Sequence, residues 1–210
     1  VMPMGDSIYR MYQYYKEHWE ELNGSLHLPL TYQILEYRRL KYKLKKKNIP
    51  HLLHYQFDAY SPNGNIVEEV PCMSSCGLMI HRKFLTLLGN WPDELGSDGG
   101  GENFLNFAGA ICGLRKHVFS NGLLYHHGDE RGYTCSYEDY LRNRTIAVYM
   151  YGGFEMAKKY CMGSFSKGNV RCNNNVLYSI FSSVVDTCAN HRALIKSRQV
   201  ISIEEWASKW

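Results

Sequence analysis

The chain has 210 residues, 45% of them hydrophobic and 21% charged, which excludes a disordered chain and suffices for the core of one ordinary domain. Its seven cysteines are odd in number and irregularly spaced, which excludes a small disulfide scaffold and indicates mostly reduced thiols. No run approaches the ~18 apolar residues of a membrane span, and no signal-peptide core opens the sequence, so we expect a cytoplasmic protein, with peripheral attachment to a membrane left open.

The first part of the chain predicts one helix and then several further segments. Apolar residues recur at helical spacing over 7–22, which predicts an amphipathic helix. A second pattern at similar spacing places Ile34, Tyr37, Leu40 and Leu44 on one side. Farther on, HLLHYQFDAY and NIVEEV are separated by the turn sequence SPNG, which predicts a β-hairpin or paired strands.

Seven basic residues crowd the segment 38–47, around that second pattern. A block of like charges usually forms a solvated helix face or a loop. The functional alternative is a non-catalytic binding module that contacts nucleic acid or anionic lipid through this segment. The net charge of +4 permits such partners and requires none of them, so both interpretations stay open.

The second part of the chain predicts a strand and a helix, then a further helix and two short strands. The run CMSSCGLMIHRKFLTLLGNW gives the first strand and a helix that Gly89 ends in a left-handed conformation. Apolar spacing predicts the next helix over 103–112 with Gly113 as its stop, followed by strands in KHVFS and LLYHH. From Ser136 onward the pattern is mainly helical.

The motif GSDGGGENFLNF, residues 96 to 107, combines a glycine run with the start of a predicted helix. Glycines allow the backbone to approach a ligand closely, and the free N–H groups of a helix start favour anions. The carboxylate of Glu102 at this place can accept a hydroxyl hydrogen bond or act as a base. By itself, such a motif more often marks a surface loop or an ordinary helix start.

A second cluster is YHHGDER, residues 125 to 131, where two histidines, Asp129 and Glu130 follow a predicted strand. Imidazole and carboxylate groups suit a divalent cation. A pair of histidines is more often structural or exposed than metal-binding, so this cluster alone does not identify a metal site.

In combination, these motifs resemble the acceptor-side half of glycosyltransferases with the GT-A fold. Such enzymes have a strand of the type M-x-G-G-x-x-x-I-x-R, a phrase like G-g-f-D-e, W-G-G-E-N or W-G-G-E-D at a helix start, and a strand that ends in His. The order and spacing are similar to those of polypeptide N-acetylgalactosaminyltransferases and of the inverting family 2. Glu102 precedes His127 by 25 residues, as in the former family. The resemblance covers roughly residues 68 to 150.

The resemblance implies an α/β fold, the C-terminal portion of a GT-A domain with a mixed sheet flanked by helices. Residues 1–135 would form its acceptor and metal side, and residues 136–210 a helical extension packed on it. The implied activity is transfer of a sugar from a nucleotide-diphosphate sugar, such as a UDP-sugar, to an acceptor hydroxyl on a glycan, lipid, protein or DNA. The implied cofactor is Mn²⁺ or Mg²⁺.

The resemblance also assigns roles to individual residues. Glu102 takes the place of the acid that contacts the acceptor or the transferred sugar, and His127 that of a metal-ligand histidine. The strand that carries Cys76 and Gly77 is expected to line the sugar pocket. The expected substrate-binding set is completed by Asp98, Gly99, Gly100 and Gly101.

Three features depart from the family pattern. Asn103, the second residue expected to be catalytic, stands where inverting members have an Asp base, so the implied mechanism either uses Glu102 as the base or is retaining. Asp98 replaces the aromatic residue that precedes the glycines. No Asp-x-Asp motif occurs in the sequence, so we expect the nucleotide-binding half to lie upstream of Val1 or on a separate chain.

Overall fold

The computed structural model of the chain describes residues 1–32, 39–46, 53–96, 98–127, 134–164 and 174–210. The strands in these ranges are β1 (Met2–Pro3), β2 (Gly24–His27), β3 (Leu30–Thr31), β4 (Leu40–Lys46), β5 (Leu53–Ala59), β6 (Val67–Glu69), β7 (Leu78–Ile80), β8 (Arg115–Phe119) and β9 (Leu124–Tyr125). The helices are α1 (Ser7–Leu22), α2 (Arg82–Leu87), α3 (Gly101–Asn103), α4 (Gly109–Ile111), α5 (Tyr137–Ser164), α6 (Asn174–Ser197) and α7 (Ile203–Ser208). A 3₁₀ turn (Asp93–Leu95) precedes α3, and a π-helical turn (Phe104–Ala108) joins α3 to α4.

The strands form two mixed sheets, which confirms the expected α/β class with helices flanking a mixed sheet. The order is β1-β9-β3-β4-β5 in one sheet and β6-β8-β2-β7 in the other. In each sheet a parallel pair, β3 with β9 or β2 with β8, has antiparallel neighbours on both sides. The carboxyl ends of parallel strands meet at the same edge of a sheet, so the residues after β3 and β9 come together.

Helix α1 spans the predicted Ser7–Leu22 and packs its apolar side on the sheets. It ends at Asn23, which adopts a left-handed conformation with φ 47 that Asn tolerates well. The hydroxyl of Tyr15 donates to the Gly24 carbonyl at 2.6 Å and accepts from the His81 backbone N–H at 2.7 Å. Burial raises the pKa of Tyr15 to about 12, so this hydroxyl stays neutral and ties α1 to β2 and α2.

The basic segment contains a strand where the sequence pattern indicated a helix face or a loop. Residues Leu40–Lys46 form β4, which pairs with β5 from Leu40↔Ala59 to Lys46↔Leu53, while 33–38 and 47–52 lie outside the described residues. The physical reason is visible in the sequence, since apolar residues at 40, 42 and 44 alternate with lysines at 41, 43 and 45. This period of two fits a strand, and pairing with β5 over seven residues stabilises it.

The hairpin expected around SPNG is wrong in its pairing, although both of its segments are extended. Strand β5 pairs with β4, and β6 pairs with β8 in the other sheet, in the register Val67↔Phe119. The turn sequence therefore does not join two paired strands. It connects β5 in one sheet with β6 in the other. Turn residues specify a bend, but the partner of each strand is set by contacts that are distant in sequence.

The elements predicted around the glycine run are confirmed. Strand β7 leads into α2, and Gly89 after it has φ +77, the expected left-handed conformation. The helix expected over 103–112 runs from Gly101 to Ile111 as α3, the π turn and α4, and Gly113 follows with φ +81. The sequences KHVFS and LLYHH contain β8 and β9, which lie in different sheets.

The C-terminal helices share one hydrophobic core with the glycine-run helix. Phe107 of the π turn contacts Tyr151 of α5 and Trp206 of α7, with ring centroids 5.2 and 5.9 Å apart. Helix α5 contains one non-helical residue, Gly153, with φ 75. Among the described residues, no helix has the length and apolar character needed to cross a membrane. The division of the chain at residue 135 stays a prediction.

Candidate functional site

Glu102 lies in the first turn of α3, where a neighbouring loop fixes its carboxylate. The backbone N–H and the hydroxyl of Ser75 each donate a hydrogen bond to Glu102 Oε1, both at 3.0 Å. Ser75 belongs to the loop between β6 and β7, so the carboxylate joins this loop to the helix start. Because Glu102 is only half-buried, its side chain keeps access to solvent while its position is set.

Asn106 holds the same loop one turn farther along the helix. Its Oδ1 accepts from the Met73 backbone N–H at 2.8 Å, and its Nδ2 donates to the Met73 carbonyl at 3.0 Å. The side chain is fully buried, so both of these hydrogen bonds are shielded from water. Asn106 lies in the π turn, a helix irregularity that is frequent at functional sites. Sequence reasoning missed this residue, whose signal was a polar side chain inside the apolar run FLNFA.

Helix α5 holds the glycine loop from the other side. Three consecutive side chains of this helix donate to backbone carbonyls, Arg142 to Glu94 in the preceding 3₁₀ turn at 2.9 Å, Asn143 to Asp98 at 2.7 Å, and Arg144 to Gly99 at 3.0 Å. The carbonyl of Asp98, an expected substrate-binding residue, is thus engaged by the protein itself. These contacts make the loop part of the fold and not a free surface segment.

The glycines of the run are required by packing. A Cβ atom on Gly99 would lie 2.7 Å from Tyr140 Cδ2, and Gly99 also has φ +93. A Cβ on Gly100 would lie 2.5 Å from the backbone carbonyl oxygen of Asn143. Packing against α5 therefore explains why glycine is needed at these two positions. The substrate-binding role expected of Gly99 and Gly100 stays a prediction.

Gly101 has a different neighbour, the exposed side chain of Trp91. A Cβ on Gly101 would lie 2.6 Å from Trp91 Cη2, so the indole covers the first residue of α3. Trp91 is 45% exposed and also meets Phe104 edge-on, with ring centroids 6.2 Å apart. The structure thus places an accessible aromatic ring next to Glu102, although Asp98 occupies the position where the family pattern has its aromatic residue. No sequence pattern predicted that Trp91 folds back onto Gly101.

The ends of the parallel strands β3 and β9 complete the neighbourhood. Tyr32 follows β3 and His126 follows β9, and the His126 N–H donates to the Thr31 carbonyl at 2.8 Å. The rings of Tyr32 and His126 are 5.0 Å apart. Partial burial, and then the nearby charges of Cys76 and Glu102, raise the pKa of Tyr32. Tyr32 therefore lies near Glu102 at the strand ends, a proximity that the sequence motifs did not predict.

Cys76 and Gly77 precede β7 and do not lie on the strand, which begins at Leu78. A Cβ on Gly77 would lie 2.1 Å from Leu124 Cδ1, and the Gly77 carbonyl accepts from the Leu28 N–H at 3.3 Å. This glycine therefore lets the loop close against β9. Cys76 is a half-buried free thiol, and the other described cysteines form no disulfide.

Asn103 is buried, whereas Glu102, the residue before it, is only half-buried. Asn103 is only 2% exposed, and its Oδ1 has no hydrogen-bond donor among the residues that the structure describes. A side chain buried to this degree does not reach an acceptor molecule arriving from solvent. Of the two residues expected to be catalytic, the geometry favours Glu102.

His127 is exposed at the end of β9, and its ring stands edge-on to that of Tyr125 at a centroid distance of 5.5 Å. Asp129 and Glu130 of the same motif lie outside the described residues. Within the described ranges, no group of three or more His, Cys, Asp or Glu side chains could hold a metal ion. One imidazole is not a ligand set for Mn²⁺ or Mg²⁺, so the described residues do not fit such an ion by themselves.

The sequence matches no protein-family model and no curated protein. Its structure is similar to a crystal structure of GalNAc-T7 with UDP, GalNAc and Mn²⁺, with a TM-score of 0.59 at 13% sequence identity. The match covers 92% of this chain and 36% of that chain, so this chain spans about a third of the length of the protein it resembles. At this identity the likeness shows the fold alone. The chain therefore has a mixed α/β fold that is structurally similar to a GT-A glycosyltransferase domain.

Proposed function

We propose that this chain carries the acceptor side of a sugar-transfer site, in which Glu102 contacts the acceptor hydroxyl. The observation that carries the proposal is the position of this carboxylate, fixed by Ser75 at a helix start. It lies near Tyr32, at the end of a parallel strand, where ligands bind in open α/β sheets. Similarity to a glycosyltransferase fold supports the same reaction class.

The chemistry fits these residue types. Transfer of a sugar requires the acceptor hydroxyl to be held close to the anomeric carbon and to lose its proton. A carboxylate with a fixed orientation can accept the hydrogen bond of that hydroxyl, whereas the neighbouring amide of Asn103 cannot take up a proton. The exposed ring of Trp91 offers a flat apolar surface on which the C–H face of a sugar can stack.

The described residues do not supply a donor site for the proposed reaction. We expect a nucleotide-diphosphate sugar, such as a UDP-sugar, because the GalNAc-T7 structure contains UDP. A separate nucleotide-binding half and a divalent ion with His127 as one ligand stay predictions. Since the described residues do not supply a metal site, no chemical step is assigned to a metal.

The binding-module alternative has less support from the described part of the basic segment. Lys41 pairs with Glu68, and Lys43 Nζ lies 3.4 Å from Asp58 Oδ1. The guanidinium of Arg39 donates to the Ser120 carbonyl at 2.6 Å. These cations are engaged by the protein itself, which lowers their availability for a polyanion.

The test measures UDP release from UDP-GalNAc, with an acceptor glycan and MnCl₂, by the protein that contains this chain. Glu102→Gln keeps the shape of the side chain and removes the proton acceptor, so we expect a rate lower by about 100-fold or more. The matched control is Glu155→Gln, an exposed position on α5, which should leave the rate unchanged. An equal rate for Glu102→Gln and the wild type would refute the role of Glu102, and the anomer of the product would distinguish inversion from retention.

A further inference from the structure

A cavity of about 340 Å³ lies between β6, the start of β8 and α7. None of its lining residues belongs to the candidate site around Glu102. Its charged lining consists of Glu69, Arg115, Lys116 and Lys209, and its aromatic lining of Trp206 and Trp210. This volume falls in the range of small-molecule sites, which are mostly apolar with a few polar groups that fix the ligand.

Lys116 is the unusual member of this lining. It lies on β8 and is only 3% exposed, and its ammonium group sits 4.6 Å from the centre of the Trp206 ring. Burial lowers the pKa of Lys116 to about 8, so the group still carries its proton at neutral pH. Among the residues that the structure describes, its Nζ makes no hydrogen bond and no ion pair. A buried cation is costly, and the Trp206 ring and the nearby charge of Glu69 offset part of that cost.

Glu69 raises the pKa of Lys116 but is shared with Arg115. Glu69 supplies the single carboxylate of the lining, and its Oε2 lies 3.7 Å from Arg115 Nη1. Lys209 adds a further cation from α7. The lining therefore has an excess of positive charge. It also has two indole rings, that of Trp206, which is buried, and that of Trp210, which is 46% exposed.

We propose that this cavity binds a small organic anion, whose carboxylate or phosphate group pairs with Lys116 Nζ while its apolar body lies against Trp206 and Trp210. The anion adds negative charge beyond that of Glu69 and accepts a charge-assisted hydrogen bond from Lys116. The indole rings supply the apolar contact area. This site is independent of the sugar-transfer proposal, because the two share no residue.

The first experiment uses 1-anilinonaphthalene-8-sulfonate, a fluorescent anion with aromatic rings, and measures its dissociation constant by titration. Lys116→Met keeps the length of the side chain and removes the charge, so we expect binding weaker by about tenfold or more. The matched control is Lys83→Met, since Lys83 also lies over an indole, that of Trp19 at 5.7 Å, but away from the cavity. Equal affinity in Lys116→Met and Lys83→Met would overturn the proposal.

The second experiment changes no buried residue. It therefore tests the proposal even if Lys116→Met loses its near-ultraviolet circular dichroism and so its native packing. Naphthalene-1-carboxylate should displace the dye from the wild-type protein, whereas the uncharged naphthalene-1-carboxamide should displace it at least about tenfold less well. Trp210→Ala, at an exposed position, should weaken dye binding. Equal displacement by acid and amide would refute the anion site. Displacement by inorganic phosphate as efficient as by the naphthoate would refute the role of the indoles.

Discussion

Polar side chains have opposite environments at the edge around Glu102 and in the centre of the β6-β8-β2-β7 sheet. At the edge, Glu102 and Asn106 are held by hydrogen bonds to the loop between β6 and β7. In the sheet, His27, His117 and Lys116 are buried, and burial lowers their pKa values to about 4, 4 and 8. The first region fixes groups in position through partners, whereas the second makes their charged forms unfavourable. Acid should therefore weaken the sheet, and loss of a hydrogen-bond partner should weaken the edge.

The largest expected effect concerns the two buried histidines. Their pKa values lie at about 4 in the folded chain, below the ordinary 6.5, so the unfolded chain binds more protons between these values. The free energy of unfolding is then at its full value above pH 6.5 and falls as the pH drops toward 4, by about 3 kcal/mol for each histidine. Urea unfolding at pH 7, 6, 5 and 4.5 measures this fall.

The matched variants for this test are His27→Leu and His18→Leu. His27→Leu removes one buried imidazole, so its stability should depend less on pH than that of the wild type. His18 is half-buried on α1, hydrogen-bonded to Glu21 and outside the sheet, so the variant His18→Leu should keep the loss of stability that the two sheet histidines cause. If His27→Leu lost stability with falling pH as steeply as the wild type, the acid sensitivity would have another origin.

The next effect concerns the hydrogen bonds by which Asn106 holds the loop between β6 and β7. Asn106→Ala removes both hydrogen bonds to Met73 and leaves a buried N–H and carbonyl without partners, so we expect a loss of about 2–4 kcal/mol in the free energy of unfolding. Urea unfolding at pH 7 measures it, where the histidines contribute fully. Asn65→Ala, at an exposed position, is the control and should change stability by less than about 0.5 kcal/mol. A small loss for Asn106→Ala would mean that the loop is held by other contacts.

The smallest effect concerns the glycine run. Gly100→Ala places a methyl group 2.5 Å from the Asn143 carbonyl oxygen, so α5 or the loop must shift, at a cost of about 1–3 kcal/mol. Gly163→Ala is the control, because this helical glycine has no atom within 4 Å of the added methyl group, and alanine should stabilise the helix slightly. The difference between the two melting temperatures tests whether packing explains the run, and equal melting temperatures would argue against it.

Local patterns were sufficient where an element is defined by its own residues. The apolar spacing of α1 and the conformation of Gly89 depend on neighbouring residues, and both were predicted. The segment from Leu40 to Lys46 was not, because its apolar residues fit a helical spacing and an alternating one, and only pairing with β5 decides between them. The position of Glu102 at a helix start followed from its motif. Its partner Ser75, 27 residues away, did not, because such contacts exist only in the folded chain.

A burial pattern was equally hard to foresee for Lys116. In the sequence KHVFS this lysine looks like the exposed residue of an alternating strand. In the folded chain it is covered by Trp206 of α7, which lies near the far end of the sequence. A contact over such a separation leaves no local trace in the sequence.

The π turn lets the side chains before and after it point in directions that one regular α-helix would not combine. In a regular α-helix each residue advances by a constant rotation, so the direction of Glu102 would dictate the directions of Phe107 and Ile111. The wider turn at Phe104–Ala108 changes this rotational phase midway. The helix start can therefore aim its carboxylate at the loop that carries Ser75, while the residues after the turn are aimed independently into the core.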